Sequence, residues 1–208
     1  MIYFPYLCTD RYHDNAMTPA FRDPLLWLRR FRKRRGYGVH SPFAFSLLED
    51  VVYESLPYYA FKELDAGLEW RQRFRVRRYQ HLLFRLTNYQ HPSQIILSKT
   101  DPLEKAYLTA ACPGARVVEN GDIRDMAIQG ARAENPDKSG EKRLIFLGEP
   151  DENVLSKLSP DTLLLLANVH RYKDWWDSLP KVVGFDLYDL GIAFFDPKYN
   201  KQDYIVNF

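Results

Sequence analysis

The sequence predicts an α/β protein built on a mostly parallel sheet, with an antiparallel hairpin at its C-terminal end and a helical segment in front. Three observations lead there. Up to about residue 90, apolar side chains recur at helical spacing. From Pro92 onward, short apolar runs alternate with amphipathic stretches, the order expected of strands joined by crossover helices. The last segments, VVGFDLYDLGIAFF and QDYIVNF, read as two strands paired across a polar turn at Asp196–Lys201.

The elements follow in order. Residues 1–16 show no periodicity and form an irregular extension; residues 17–90 form a helical subdomain and residues 91–208 the α/β domain. Asp23 and Pro24 open a first helix, because the carboxylate accepts orphan N–H groups and proline lacks one. Leu25, Leu28 and Phe31 continue it, and Gly36 is its stop. Ser41 and Pro42 open a second, with Phe43, Leu47 and Val51 a turn apart and Pro57 as its end. Residues 59–89 hold one or two more helices, with Leu82, Leu86 and Tyr89 on one face. Then come a strand at 93–98 and a helix at 101–112. That helix starts on Asp101, Pro102 and Glu104: a cap, a first-turn proline and a capping-box acid. A strand at 115–119, a helix at 122–133 and a polar loop lead to strand 143–147. Helix 151–157, strand 162–167 and helix 172–179 precede the terminal hairpin.

A chain of 208 residues with 46% hydrophobic and 15% aromatic content can bury one full core, which argues against disorder. Its 29 Lys and Arg nearly balance 27 Asp and Glu, so net charge excludes little, although the basic residues crowd the first 80 positions. Cys8 and Cys112 have no metal or redox spacing and read as unpaired thiols of a reducing compartment. No apolar run approaches the roughly 20 residues of a membrane span, so no membrane association is expected. The first sixteen residues lack the features of a secretory signal. The cytoplasm is therefore the expected location, and Met17, just ahead of the first patterned helix, is read as the natural start.

Several segments in order, RGYGVHSPFAF (35–45), LLFRLTNYQHPSQII (82–96), RLIFLGE (143–149), NVHRYKDWW (168–176) and FDLYDLGIAFF…KQDYIVNF (185–208), resemble one bacterial family of class I S-adenosylmethionine-dependent methyltransferases related to small O-methyltransferases. The resemblance covers most of the chain from about Leu25. It implies a Rossmann-like sheet with a reversed final strand. Stretch 120–142 has room for one helix and a loop, so the third, edge strand of such a sheet is expected to be missing.

The resemblance also says where the cofactor should lie, and there the chain departs from the family. The first strand should end in an acid and a glycine, with a second glycine soon after, so that the backbone can approach the cofactor. Here the stretch reads Leu97-Ser98-Lys99-Thr100-Asp101-Pro102-Leu103-Glu104, without glycine, and Asp101 is placed to cap the amides a cofactor would use. An acid for the ribose at the second strand's end falls on Glu119 or Asn120, depending on alignment. The fourth strand's acid is replaced by Gly148, with Glu149 one place late. The paired acids that hold a divalent metal in the O-methyltransferase pattern read Ala167-Asn168, so no metal is expected. The matching pocket positions are thus Thr100, Glu119 and Gly148.

Other residues allow sharper roles. His170, at a strand end, could act as a base, but with no carboxylate to orient it a structural role is favoured. His40 is read as fixing the Ser41-Pro42 turn. Residues 29–35 (RRFRKRR) and 71–78 (RQRFRVRR) interleave arginines with aromatics. They read as solvated helix faces or as a surface for nucleic acid or an acidic protein, with Arg29, Arg30, Arg32, Lys33, Arg34 and Arg35 as the phosphate contacts. Of Trp175 and Trp176, at least one should be core. The expected function is a methyltransferase-like scaffold with a degraded site, non-catalytic, with no bound cofactor, acting as a binding or partner subunit or a homo-oligomer. The alternatives are a methyltransferase using S-adenosylmethionine through an atypical loop, with no catalytic residue assigned, and a basic nucleic-acid-binding module.

Overall fold

A computed structural model describes Arg30 and residues 39–68, 73–119 and 141–208. Seven strands form one mixed sheet: β1 (Gln94–Ser98), β2 (Arg116–Glu119), β3 (Arg143–Leu147), β4 (Thr162–Ala167), β5 (Val183–Asp186), β6 (Leu190–Phe194) and β7 (Gln202–Ile205). Their order across the sheet is β2-β1-β3-β4-β6-β5-β7. β1, β2, β3 and β4 are parallel, β6 is antiparallel to both of its neighbours, and β7 runs parallel to β5. Among the described strands, β6 is therefore the one that runs reversed.

The inner strands β1, β3, β4 and β6 are apolar on both faces, as a sheet covered on two sides requires, whereas the edge strands β2 and β7 are largely exposed. With a two-residue period, Ile95, Leu97, Leu144, Phe146, Leu163 and Leu165 face one cluster. Ile96, Ile145, Leu147, Leu164 and Leu166 face the other. The first cluster is covered by three helices. These are α1 (Pro42–Leu47, widened to a π-turn over Leu48–Val52), α3 (Arg73–Gln90) and α4 (Pro102–Ala111). α2 (Tyr59–Leu64) lies beside them, and its Phe61 joins Phe84 and Tyr107 in a small aromatic cluster. The second face is covered by a 3-10 helix at Glu152–Lys157 and by α5 (Lys173–Ser178). Trp176 of α5 is the large side chain there, 1% exposed, and Trp175 is half-buried.

The local signals act as expected at most element starts. Ser41 Oγ accepts from Ala44 N–H at 3.4 Å, with Pro42 in the first turn. β3 and β4 occupy the predicted residues. The second helix, however, ends at Val52, five residues before Pro57, and the chain from Tyr53 to Tyr58 is not helical. Tyr89 is 42% exposed, because α3 turns Leu82, Leu83 and Leu86 inward instead.

The C-terminal expectation needs correction. The hairpin lies inside VVGFDLYDLGIAFF, with β5 and β6 paired antiparallel around Leu187–Asp189. The segment after Asp196–Lys201 does not pair with β6; it crosses to the outer side of β5 and adds β7 in parallel. The turn is hidden in an apolar run because Asp186 makes it: its carboxylate accepts from Tyr188 N–H at 2.8 Å, and Tyr188 takes a left-handed φ of 78°. The first predicted helix (apart from helical Arg30), the helix at 122–133 and the missing edge strand lie outside the described residues. Among the described residues no helix is long and apolar enough to cross a membrane.

Candidate functional site

In sheets wound outward from a central strand, ligands bind beyond the carboxyl ends, at the crevice where the winding changes direction. Here that point lies between β1 and β3. The residues singled out from sequence sit around it: Thr100 in the loop after β1, Glu119 at the end of β2 and Gly148 directly after β3. Among the described residues, the loop after β1 and the residues after β3 are in contact. Gly148 N–H donates to the Ser98 carbonyl at 2.8 Å, and a Cβ at Gly148 would stand 2.0 Å from the Lys99 carbonyl oxygen. The two loops therefore meet backbone to backbone. Lys99 takes a left-handed φ of 50°, the conformation glycine adopts at least cost, and its ammonium pairs with Glu149 across the same point.

The start of α4 is occupied from within the chain. Asp101 Oδ1 accepts from Leu103 N–H at 2.9 Å, and Glu104 Oε2 accepts from Asp101 N–H at 3.0 Å, completing a capping box. Tyr79 OH donates to Glu104 Oε1 at 3.3 Å, so the acid is held from a second helix. Glu119 is exposed and pairs with Lys105. Such a pair contributes only about 0–1 kcal/mol and leaves the carboxylate accessible. Thr100 Oγ1 is buried with no hydrogen-bond partner among the described residues.

A second polar group gathers where β4 and β5 end. Asp186 is 5% exposed and meets Arg30 at 3.2 Å and Lys173 at 3.5 Å. The Arg30 guanidinium also lies over the Tyr188 ring, 5.1 Å from its centre. His170 stacks on the same Tyr188 ring, with ring centres 4.1 Å apart and planes nearly parallel at 2°. Its Nδ1 lies 2.8 Å from the Tyr188 carbonyl, so Nδ1 carries the proton and donates. Sequence reasoning gave His170 no carboxylate; the fold brings Asp189 to 3.9 Å. The signal was present in DLYD, but only the hairpin turn places it. His40 is exposed beside the Ser41 cap, and Asn168 takes a left-handed φ of 52° directly after β4. Of the basic cluster at 29–35, Arg30 is committed to Asp186 and Tyr188, and the others lie outside the described residues.

A third feature was not anticipated. Between α2, α3 and the loop after α1 lies a cavity of about 820 Å³. Asp65 is its polar centre: Oδ1 accepts from Tyr107 OH at 2.6 Å and from His81 Nε2 at 3.0 Å, and Oδ2 accepts from Arg77 Nε at 2.7 Å. Burial alone would raise the Asp65 pKa, but the hydrogen bonds from Tyr107 and His81 outweigh it and hold the carboxyl below its ordinary value. Burial pushes His81 the other way, below its ordinary value, against the pull of Asp65. Tyr107 is pushed well above the ordinary phenol range by burial and then by its bond to Asp65. The readable signal was the spacing of Arg77, His81 and Arg85, each four residues apart and so on one helix face.

Among the described residues no group of three or more His, Cys, Asp or Glu side chains is placed to hold a metal ion. The chain matches no protein-family model, no curated protein and no solved structure.

Proposed function

We propose that this chain is a degenerate class I methyltransferase on a Rossmann-like scaffold, acting as a non-catalytic binding or partner subunit. The scaffold reading is supported by the segment resemblance and by an otherwise parallel sheet carrying one reversed strand near its C-terminal end. β7, added in parallel outside that strand pair, is a departure from the family. The observation that carries the loss of catalysis is the contact of Gly148 with the Lys99 carbonyl, beside an α4 start already capped by Asp101. S-adenosylmethionine would need free amides and close backbone approach at this point, and these residues do not fit it. One observation favours the alternative, an active enzyme with an atypical loop: the buried Thr100 hydroxyl lacks a partner among the described residues, and Glu119 stays accessible at the end of β2. Calorimetric titration with S-adenosylmethionine and its demethylated product separates the two. The proposal expects no saturable heat up to about 1 mM ligand, and micromolar binding would overturn it.

A further inference from the structure

Among the described residues, the cavity beside Asp65 is lined by more cations than acids. Its described lining contains four cations, Lys62, Arg77, Arg78 and Arg85, against two acids, Glu54 and Asp65. Both acids are already engaged. Asp65 holds Arg77, His81 and Tyr107, while the two oxygens of Glu54 lie 3.2 and 3.0 Å from Tyr58 OH. The cations are not equally satisfied. Arg85 is 6% exposed and forms no ion pair with a described carboxylate. Its Nε and one terminal nitrogen donate to the Val51 and Val52 carbonyls, at 2.7 and 3.0 Å.

Those carbonyls close the last turn of α1, and capping it is a sufficient structural reason for an arginine at that position. It does not account for the charge. A helix end carries about half a negative charge at most, whereas a buried guanidinium normally faces a full counter-charge. Burial accordingly lowers the Arg85 pKa, with Glu54 acting only through space. Arg78 and Lys62 line the same cavity from solvated positions. Both are exposed, neither has a described acid partner, and Arg78 rests over the Phe208 ring at 4.7 Å.

The lining also carries aromatics, of which Tyr58 is half-buried while Phe61 is 4% exposed and stacks on His81 at 3.6 Å. Tyr58 and Phe61 stand 5.3 Å apart and both line the cavity. A volume of about 820 Å³ falls within the range of small-molecule sites, about 300–1,000 Å³. We propose that this cavity binds a small organic anion, a carboxylate or phosphate carried on an aromatic body, with the anion on Arg85, Arg78 and Lys62 and the ring against Tyr58. The inference stands apart from the closed crevice between β1 and β3, since the cavity shares no lining residue with it.

The test uses the full chain and four probes: phenyl phosphate, benzoate, inorganic phosphate and benzyl alcohol, followed by ligand-observed NMR and calorimetry. At least one aromatic anion should bind with a dissociation constant below about 1 mM and more tightly than inorganic phosphate or the neutral alcohol. Arg78→Ala, at an exposed position, and Arg85→Lys, which keeps a charge but loses the fork, should each weaken that binding by about tenfold. The proposal is overturned if neither aromatic anion binds below about 1 mM, if benzyl alcohol binds as well as they do, or if both variants bind them unchanged.

Discussion

At the scale of single residues, two positions show how the fold imposes demands that the side chain alone does not announce. Gly148 has no Cβ because the Lys99 carbonyl occupies its place, and backbone cannot move aside as a flexible side-chain tip can. Gly148→Ala is therefore expected to cost about 1–3 kcal/mol in urea denaturation. Gly114→Ala, with nothing within 4 Å of its added Cβ, should stay within about 0.5 kcal/mol of wild type. The second position is His81. Its folded pKa lies below the ordinary 6.5, so between the two values the unfolded chain binds the extra proton. Stability contributed by neutral His81 is then complete above 6.5 and is lost as pH falls below it. Asp65, also lowered, adds a further loss below its ordinary 3.8. Tyr107, raised from 10.0, makes stability fall again as pH rises above that value. Groups facing His81 include Asp65, Arg77 and Arg85, and removing the imidazole leaves their charges in place. Denaturation curves at stepped pH should show the acid-side decline beginning near 6.5, and His81→Gln should remove that first step while keeping the later one.

At the scale of elements, sequence and structure agree where one interaction decides the outcome locally. The capping box at Asp101 and Glu104 fixes the start of α4, and the bounds of β3 and β4 follow from apolar runs closed by polar residues. Asp101→Ala should cost about 1 kcal/mol, measured by thermal or urea unfolding, because one orphan amide of α4 loses its acceptor. Agreement fails where the deciding partner is distant in sequence. The true hairpin turn lies within a run that reads as continuous apolar strand, and only the Asp186 carboxylate turned onto Tyr188 N–H marks it. The parallel placement of β7 could not be read from QDYIVNF, since the same alternation serves either side of β5. At the strand ends, the absent glycines and the Asp101 cap were legible, and they point to a closed site. The Asp65–His81–Tyr107 group was not, because its members come from three separate elements.

At the scale of the whole molecule, the two faces of the sheet carry different burdens. One side is closed by α5 and a 3-10 helix around Trp176. The other bears the larger helical layer, and there lies the cavity, lined among the described residues by four cations and two acids. Meanwhile the crevice at the carboxyl ends, where sheets of this winding usually hold ligands, is spanned by contacts between the loops after β1 and β3. On the proposed reading, the strand-end crevice is shut by the chain's own groups. Amide hydrogen exchange at Gly148 and Leu103 tests it most directly, because these N–H groups are held by Ser98 and Asp101. Slow exchange is expected at both, unchanged by S-adenosylmethionine at about 1 mM. Rapid exchange at both amides, or protection that appears only when S-adenosylmethionine is added, would contradict it.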